Sequence, residues 1–86
     1  MDRIKGKRCV IIGGTSGIGK SIVELFSHEG GSIVFCGRSI ENGEFIQNEN
    51  PNTKFIRCDI TDNADVTRFF ASALNHLGGL DIAVNN

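Results

Sequence analysis

Apolar residues in this chain concentrate in four short runs that are rich in β-branched side chains. They occupy residues 8–12, 32–36, 54–58 and 80–84. Each run is bounded by glycine, aspartate or another turn-forming residue, which is typical of buried strands. Periodicity alone does not separate such a run from a buried helix, so the strand prediction also depends on what lies between the runs.

Two of the three intervals between the runs have helical periodicity. After the first run, apolar residues recur at the spacing of one helix face, and Gly30 follows as a stop signal. The residues predicted to form that face are Ile18, Ile22, Leu25 and Phe26. Before the fourth run, a longer apolar stripe begins after Asp62 or Asn63, either of which could cap a helix, and it ends at Gly78.

The remaining interval, residues 40–50, has a weaker helix signal. It is polar, with Phe45 and Ile46 as its only apolar anchors, and it stops before Pro51, so we predict a short helix. Strand and helix then alternate three times, which indicates a parallel sheet with right-handed crossovers. The sequence therefore predicts an α/β fold, the first half of a Rossmann-type doubly wound sheet (β-α-β-α-β-α-β) with strand order 3-2-1-4.

Composition and charge are those of an ordinary soluble domain. The chain has 86 residues, of which 40% are hydrophobic and 22% charged, and its net charge is −1. This balance gives no indication of a nucleic-acid or membrane partner. The first eight residues are basic, but only four apolar residues follow before a glycine, too few for a signal peptide or a membrane span. The three cysteines lack metal-ligand spacing, so we expect buried thiols, no metal site and a cytoplasmic protein.

The stretch GGTSGIGKS at residues 13–21 fits two phosphate-binding patterns. Starting at Gly14, it spells the phosphate loop of nucleotide hydrolases, in which Lys20 would reach the phosphates and Ser21 would hold magnesium. Starting at Gly13, it spells G-x-x-x-G-x-G, a turn that lets the pyrophosphate of a nicotinamide dinucleotide rest on a helix N-terminus. The local sequence does not separate the two patterns. Both place a ligand at the carboxyl ends of the strands.

Four stretches in consistent order resemble the short-chain dehydrogenase/reductase family, and together they cover essentially the whole chain. They are IGGTSGIG at residues 12–19, CGRS at 36–39, CDIT at 58–61 and LDIAVNN at 80–86. Four ordered motifs are more specific than one, and they favour the dinucleotide over the phosphate loop. The resemblance implies the NADP(H)-binding portion of an oxidoreductase that transfers hydride between a nicotinamide cofactor and a carbonyl or alcohol.

The resemblance also implies which residues would hold the dinucleotide. An acid usually stands about 20 residues past the glycines to bond the ribose hydroxyl. Here Gly37 takes that place and Arg38 follows, which favours NADP, with NAD as second choice. Taken alone, Arg38 could also be a solvated loop residue and Asp59 an ordinary turn residue. The implied site residues are Gly13, Thr15, Ser16, Gly17, Ile18, Gly19, Arg38, Ser39, Asp59, Ile60, Asn85 and Asn86.

Within that set the resemblance implies separate roles. Ser39 would assist Arg38 at the 2′-phosphate, and Asp59 would bond the adenine amino group with the backbone of Ile60 beside the ring. Asn85 and Asn86 would brace the sheet and line the nicotinamide ribose.

No catalytic residue is expected in this chain. The resemblance implies catalysis by a serine and by a tyrosine followed four residues later by lysine, and the sequence contains no tyrosine and stops inside its fourth motif. We therefore expect residues 1–86 to form a partial NAD(P)-binding domain without the substrate half. It would be either a truncated enzyme, inactive alone, or a module that only binds dinucleotide. An unpaired fourth strand would also favour self-association through residues 80–86.

Overall fold

Strands and helices alternate strictly along residues 3–86, the part of the chain that the computed structural model describes. The elements are β1 (Arg8–Ile12), α1 (Gly17–His28), β2 (Ser32–Gly37), α2 (Ile40–Glu49), β3 (Thr53–Arg57), α3 (Asn63–Leu77) and β4 (Ile82–Asn85). All four predicted strands are present, with ends that differ from the prediction by two residues at most. The weakly signalled helix between β2 and β3 is present as well.

The strands form one parallel sheet in the order β3-β2-β1-β4, which confirms the predicted fold and strand order. Because every strand runs in the same direction, all carboxyl ends lie at one edge of the sheet. The chain leaves β1 between β2 on one side and β4 on the other, so the glycine stretch begins at the point where the connections change direction. Ligands of such sheets bind at this point.

Two apolar layers cover the two faces of the sheet. On one face, Cys9 of β1 packs in a cluster with Val23 of α1 and Ile46 of α2. On the other face, the next residue, Val10, packs in a cluster with Phe69 of α3. The two central strands are therefore covered on both faces, which is why their sequences are continuously apolar rather than alternating.

The apolar face predicted for α1 is only partly correct. Ile22 and Phe26 pack against the core, but Ile18 and Leu25 are 71% and 53% exposed. The buried positions of the helix are Gly19, Val23 and Ser27. Small side chains at these positions let α1 lie close to the sheet, and this close approach decides which face is buried.

One apolar side chain, rather than the predicted pair, anchors α2. Ile46 is 2% exposed, whereas Phe45 is 59% exposed. Next to the anchor, Gly43 lies so close to the ring of Phe55 that an added Cβ would overlap the ring. This helix is therefore seated on the sheet by a glycine–aromatic contact that its hydrophobic pattern does not reveal.

The predicted ends of α3 are confirmed by its capping geometry. The carboxylate of Asp62 accepts hydrogen bonds from the backbone N–H groups of Ala64 and Asp65. At the other end, Gly78 takes the left-handed conformation, with φ at 75°, and its N–H donates to the carbonyl of Leu74. None of the helices in residues 3–86 has the length and apolar character needed to cross a membrane.

Candidate functional site

A cavity of about 370 Å³ opens at the carboxyl edge of the sheet. It is lined by Gly13, Thr15, Ser16, Gly37, Arg38, Ser39, Asn42, Cys58, Ile60 and Asn86. The loops that follow all four strands contribute to it. The structure thus brings together seven of the predicted site residues, namely Gly13, Thr15, Ser16, Arg38, Ser39, Ile60 and Asn86.

The glycine turn after β1 folds back against the end of β2. The backbone N–H groups of Gly13 and Gly14 both donate to the carbonyl of Cys36, at 3.1 and 2.8 Å. Gly13 has φ at 83°, a conformation that disfavours side chains. Gly19 contacts the same turn from α1, and an added Cβ there would overlap the carbonyl oxygen of Gly13. The turn therefore requires glycine at both positions.

The N-terminus of α1 has no side-chain cap. Ser16 occupies the N-cap position, but its side chain makes no capping hydrogen bond, and the first turn contains no acidic residue. By contrast, Ser39 caps α2 and Asp62 caps α3. The first N–H groups of a helix need acceptors, and the helix dipole favours negative charge there. The start of α1, formed by the predicted residues Gly17 and Ile18, can therefore receive an anion beside the cavity.

At the end of β2, the absence of a side chain at Gly37 makes room for Thr15. An added Cβ at Gly37 would overlap the Thr15 side chain. The next residue, Arg38, has a 67% exposed side chain, and its Nε lies 3.9 Å from Oδ1 of Asp59. At this exposure and distance the ion pair is weak, so the guanidinium can turn toward another anion at the cavity rim.

The loop after β3 is fixed by a network of carboxylates. Oδ1 of Asp59 accepts from the N–H and the hydroxyl of Thr61, at 3.0 and 2.7 Å, and these bonds lower the pKa of Asp59. The N–H of Asp59 donates to Oδ2 of Asp65 at 2.7 Å, and Nε of Arg68 donates to Oδ1 of Asp65 at 3.0 Å. Asp59 itself does not line the cavity, whereas its neighbour Ile60 does.

The residues after β4 close the site against the glycine turn. The side-chain amide of Asn86 donates to the carbonyl of Gly13 at 3.2 Å, and its backbone N–H donates to the carbonyl of Ile12 at 3.1 Å. Asn85 pairs with Ile12 in the sheet and lies outside the cavity lining. Asn86 therefore joins β4 to the turn.

Sequence reasoning missed two side chains that line the cavity. Asn42 stands three residues after the cap Ser39, and its N–H donates to the Ser39 hydroxyl at 3.1 Å. Cys58 forms part of the wall at the end of β3.

All three cysteines are free and buried, as expected, and burial raises the pKa of Cys36 to about 12 and raises that of Cys58. Both thiols are therefore neutral, and that of Cys58 forms an apolar part of the wall rather than a nucleophile. Residues 3–86 contain no cluster of His, Cys, Asp or Glu that could hold a metal ion.

Comparison with known sequences places this chain in a family. The short chain dehydrogenase family model matches residues 7–86. An L-fucose dehydrogenase from Bos taurus is 36% identical over 84 residues, which cover 98% of this chain and 31% of that protein. An uncharacterized oxidoreductase from Staphylococcus epidermidis is 33% identical over 87 residues, covering 100% of this chain and 38% of that protein.

Solved structures give the same result. A mutant short-chain dehydrogenase/reductase from Serratia marcescens matches with a TM-score of 0.89 at 31% identity, covering 96% of this chain and 36% of that one. A 3-ketoacyl-(acyl-carrier-protein) reductase from Brucella melitensis, complexed with NADH, matches with a TM-score of 0.86 at 28% identity, covering 93% of this chain and 34% of that one. The chain thus spans about a third of the length of these relatives. With a family model matched over residues 7–86 and a glycine turn at the switch point of a 3-2-1-4 sheet, the chain belongs to the short-chain dehydrogenase family.

Proposed function

We propose that this chain is the NADP(H)-binding portion of a short-chain dehydrogenase/reductase, an oxidoreductase acting between a carbonyl and an alcohol. The observation that carries the proposal is the uncapped N-terminus of α1, which opens beside a cavity with Arg38 at its rim. When bound, the dinucleotide would supply or accept the hydride. The residues of this chain would bind and orient it.

The glycine turn fits the pyrophosphate of a dinucleotide. Gly13 and Gly17 both have positive φ, and Gly19 has no room for a side chain. The backbone is therefore bare where a phosphate would approach, and the free N–H groups at the start of α1 would donate to it. Thr15 and Ser16 add hydroxyl groups to the same wall.

The end of β2 supports NADP over NAD. An acidic side chain would accept a hydrogen bond from the ribose 2′-hydroxyl and would repel a 2′-phosphate, but Gly37 has no side chain. The guanidinium of Arg38 could bond the phosphate through two N–H groups, with the hydroxyl of Ser39 beside it. Asp59 would then accept from the adenine amino group through Oδ2 while Thr61 keeps its bonds to Oδ1, and the backbone of Ile60 would lie against the ring.

Binding without turnover is the behaviour we propose for residues 1–86 as a partial NAD(P)-binding domain. The sequence contains no tyrosine, so no side chain here can act as the family's general acid.

The buried thiols are compatible with a reducing compartment, and we propose the cytoplasm. We also propose self-association through β4, because this edge strand carries no charged residue, whereas the other edge strand, β3, carries Lys54 and Arg57.

Calorimetry with four ligands tests the proposal: NADP, NAD, adenosine 2′,5′-bisphosphate and Mg-ATP. NADP and the bisphosphate should bind about equally, because most of the contacts proposed for this chain go to the adenosine end, which the two ligands share. A charge-assisted hydrogen bond contributes about 1.5–3 kcal/mol. NAD should therefore bind roughly ten- to a hundredfold more weakly than NADP.

Two arginine variants locate that preference. Arg38→Ala should remove most of it, while Arg57→Ala, which removes an equal charge from an exposed residue outside the cavity lining, should leave it in place. Tight Mg-ATP binding that is indifferent to Arg38 and lost in Lys20→Ala would contradict the proposal and would favour a phosphate loop instead.

A further inference from the structure

The outer edge of β3 faces away from the rest of the sheet. On its inner side the strand pairs with β2, where the N–H of Ile33 donates to the carbonyl of Asn52 at 2.9 Å. Successive residues of a strand direct their backbone groups alternately to its two sides, so Thr53, Phe55 and Arg57 direct theirs outward. A row of outward N–H and C=O groups is a template on which a strand of another chain can pair.

A side chain of α2 occupies the N–H group in the middle of this edge. The N–H of Phe55 donates to Oε1 of Gln47 at 2.7 Å. Gln47 is half-buried and follows Gly43 by four residues, so the two lie on the same side of the helix. The contact between Gly43 and the ring of Phe55 holds α2 close enough to β3 for this bond to form. A strand that paired here would have to displace the Gln47 amide.

A side chain of α3 occupies a carbonyl further along the same edge. The carbonyl of Arg57 accepts from Nη2 of Arg68 at 3.4 Å. Arg68 is itself held by Asp65, because its Nε donates to Oδ1 of that residue at 3.0 Å. The outer edge of β3 is therefore covered from both faces of the sheet, by one acceptor from α2 and one donor from α3.

The outer edge of β4 has no comparable cover. Within residues 3–86, no side chain makes a hydrogen bond to the backbone of this strand. The two edges also differ in charge, since β3 carries Lys54 and Arg57 and β4 carries no charged residue. Two copies of β3 would bring like charges together, so the strand that fits the edge of β3 is β4 of another copy.

We propose that Gln47 closes the outer edge of β3 to β4 of a second copy, with Arg68 closing the next position, so that this chain associates through β4 alone. The inference rests on the proposed self-association through β4. Pairing of β4 with β3 of the next copy is a head-to-tail contact, and such contacts build open filaments when they do not close into a ring. Covering one of the two edges removes that route.

Sedimentation of three variants at tens of micromolar tests this role of Gln47. Gln47→Leu keeps a similar size and helix propensity but removes the acceptor, so it should form larger species than the parent chain at the same concentration. Gln47→Glu keeps an acceptor and should sediment like the parent chain. Asn48→Leu adds the same apolar side chain at the next, exposed position of α2 and should also sediment like the parent chain.

Hydrogen exchange separates the edge bond from a general loss of stability. It is measured in the background of Ala83→Lys, which places a charge on β4 and so opposes association. Adding Gln47→Leu should make the amide of Phe55 exchange about tenfold faster. The amide of Phe35, in the buried strand β2, should exchange at an unchanged rate. The double variant should sediment like Ala83→Lys alone, because the strand that would pair with β3 is then charged.

The remaining outcomes contradict the proposal in different ways. If Gln47→Leu speeds exchange at Phe55 but sediments like the parent chain, the edge is open and unused, and the proposal is overturned. Unchanged exchange at Phe55, or equal growth in Gln47→Glu or Asn48→Leu, would overturn it as well, because the acceptor would then not matter. If the parent chain is monomeric, self-association through β4 fails, and this inference fails with it.

Discussion

The carboxylate of Asp81 accepts three hydrogen bonds from Arg8. Oδ2 accepts from the backbone N–H and from Nε, at 2.9 and 3.1 Å, and Oδ1 accepts from Nη2 at 3.3 Å. In return, the N–H of Asp81 donates to the carbonyl of Arg8 at 2.8 Å, and Nη1 of Arg8 donates to the carbonyl of Gly78 at 3.3 Å. The pair therefore joins the start of β1 to the turn between α3 and β4, and so helps to set the register that brings Asn86 to the glycine turn.

We expect the chain to lose stability in acid as Asp81 becomes protonated. The hydrogen bonds from Arg8 lower the pKa of Asp81 to about 2, and the ordinary value is about 3.9. A carboxylate with a lowered pKa stabilises the fold above its ordinary pKa, and this contribution is lost as pH falls toward the folded value. Urea unfolding should therefore show a decline in stability from about pH 4 to about pH 2 that is smaller in Asp81→Asn.

A control for this decline is Glu44→Gln. Glu44 is exposed on α2, and its side chain makes no hydrogen bond or ion pair with another residue of the described range 3–86. Its replacement should keep the full decline. An unchanged acid dependence in Asp81→Asn would show that the pair with Arg8 does not contribute.

Gly19→Ala should destabilise the chain and weaken dinucleotide binding. The added Cβ would overlap the carbonyl of Gly13 and lie 2.8 Å from Nδ2 of Asn86. Overpacking of this kind costs about 1–3 kcal/mol. At Gly17 an added Cβ would meet nothing within 4 Å, so Gly17→Ala should cost only the strain of its positive φ, about 1–2 kcal/mol. Urea unfolding and NADP calorimetry measure both effects, and a smaller loss of binding in Gly19→Ala than in Gly17→Ala would contradict this account.

Changing the nucleotide preference should require two substitutions rather than one. Gly37→Asp supplies a carboxylate that accepts from the 2′-hydroxyl and repels a 2′-phosphate, but its Cβ would overlap the side chain of Thr15. We expect Gly37→Asp alone to lower the melting temperature, and Thr15→Ala to restore it. The double variant should bind NAD about tenfold more tightly than NADP. Continued preference for NADP in the folded double variant would show that Gly37 does not set specificity.

Charge on β4 should suppress self-association. Ala83 lies in the middle of β4 and is exposed. Ala83→Lys would place a charge on this edge, and charged edges resist pairing. Sedimentation at tens of micromolar should show dimers or larger species for the parent chain and a monomer for the variant. The control Ala71→Lys adds the same charge to an exposed position on α3 and should leave association unchanged. A monomeric parent chain would refute the proposal.

The chain alone should not oxidise NADPH with ketones or quinones. It has no tyrosine, and the thiol of Cys58, which lines the cavity, is neutral because burial raises its pKa. Lys20 lines a cavity beside the start of α1, at what we propose is the phosphate end of the site. Absorbance of NADPH with a panel of such substrates should stay constant. Reproducible turnover that disappears on substitution of one of these residues would contradict the expectation.

The sequence predicted the strands well because glycine and turn residues mark where each run ends, and two buried faces leave a continuous apolar signal. It predicted the burial of Ile18, Leu25 and Phe45 wrongly. A hydrophobic pattern shows that a helix packs against the core. How closely the helix approaches the sheet depends on small residues such as Gly19 and Gly43, and their contacts are made with other elements of the fold. Asn42 was missed for the same reason: its spacing from Ser39 places it in the first turn of α2, but only the packing of that helix brings it to the cavity.

The glycine turn is built directly on the core, and this couples cofactor occupancy to folding. A Cβ at Gly14 would lie 2.9 Å from the side chains of Phe35 and Val23, which are both fully buried. The turn therefore cannot rearrange without disturbing those side chains, and a ligand that it holds binds the native state alone. At a hundred times its dissociation constant, such a ligand adds about 2.7 kcal/mol to the free energy of unfolding. The melting temperature of the domain should then rise with the nucleotide concentration, because binding and folding form one linked equilibrium.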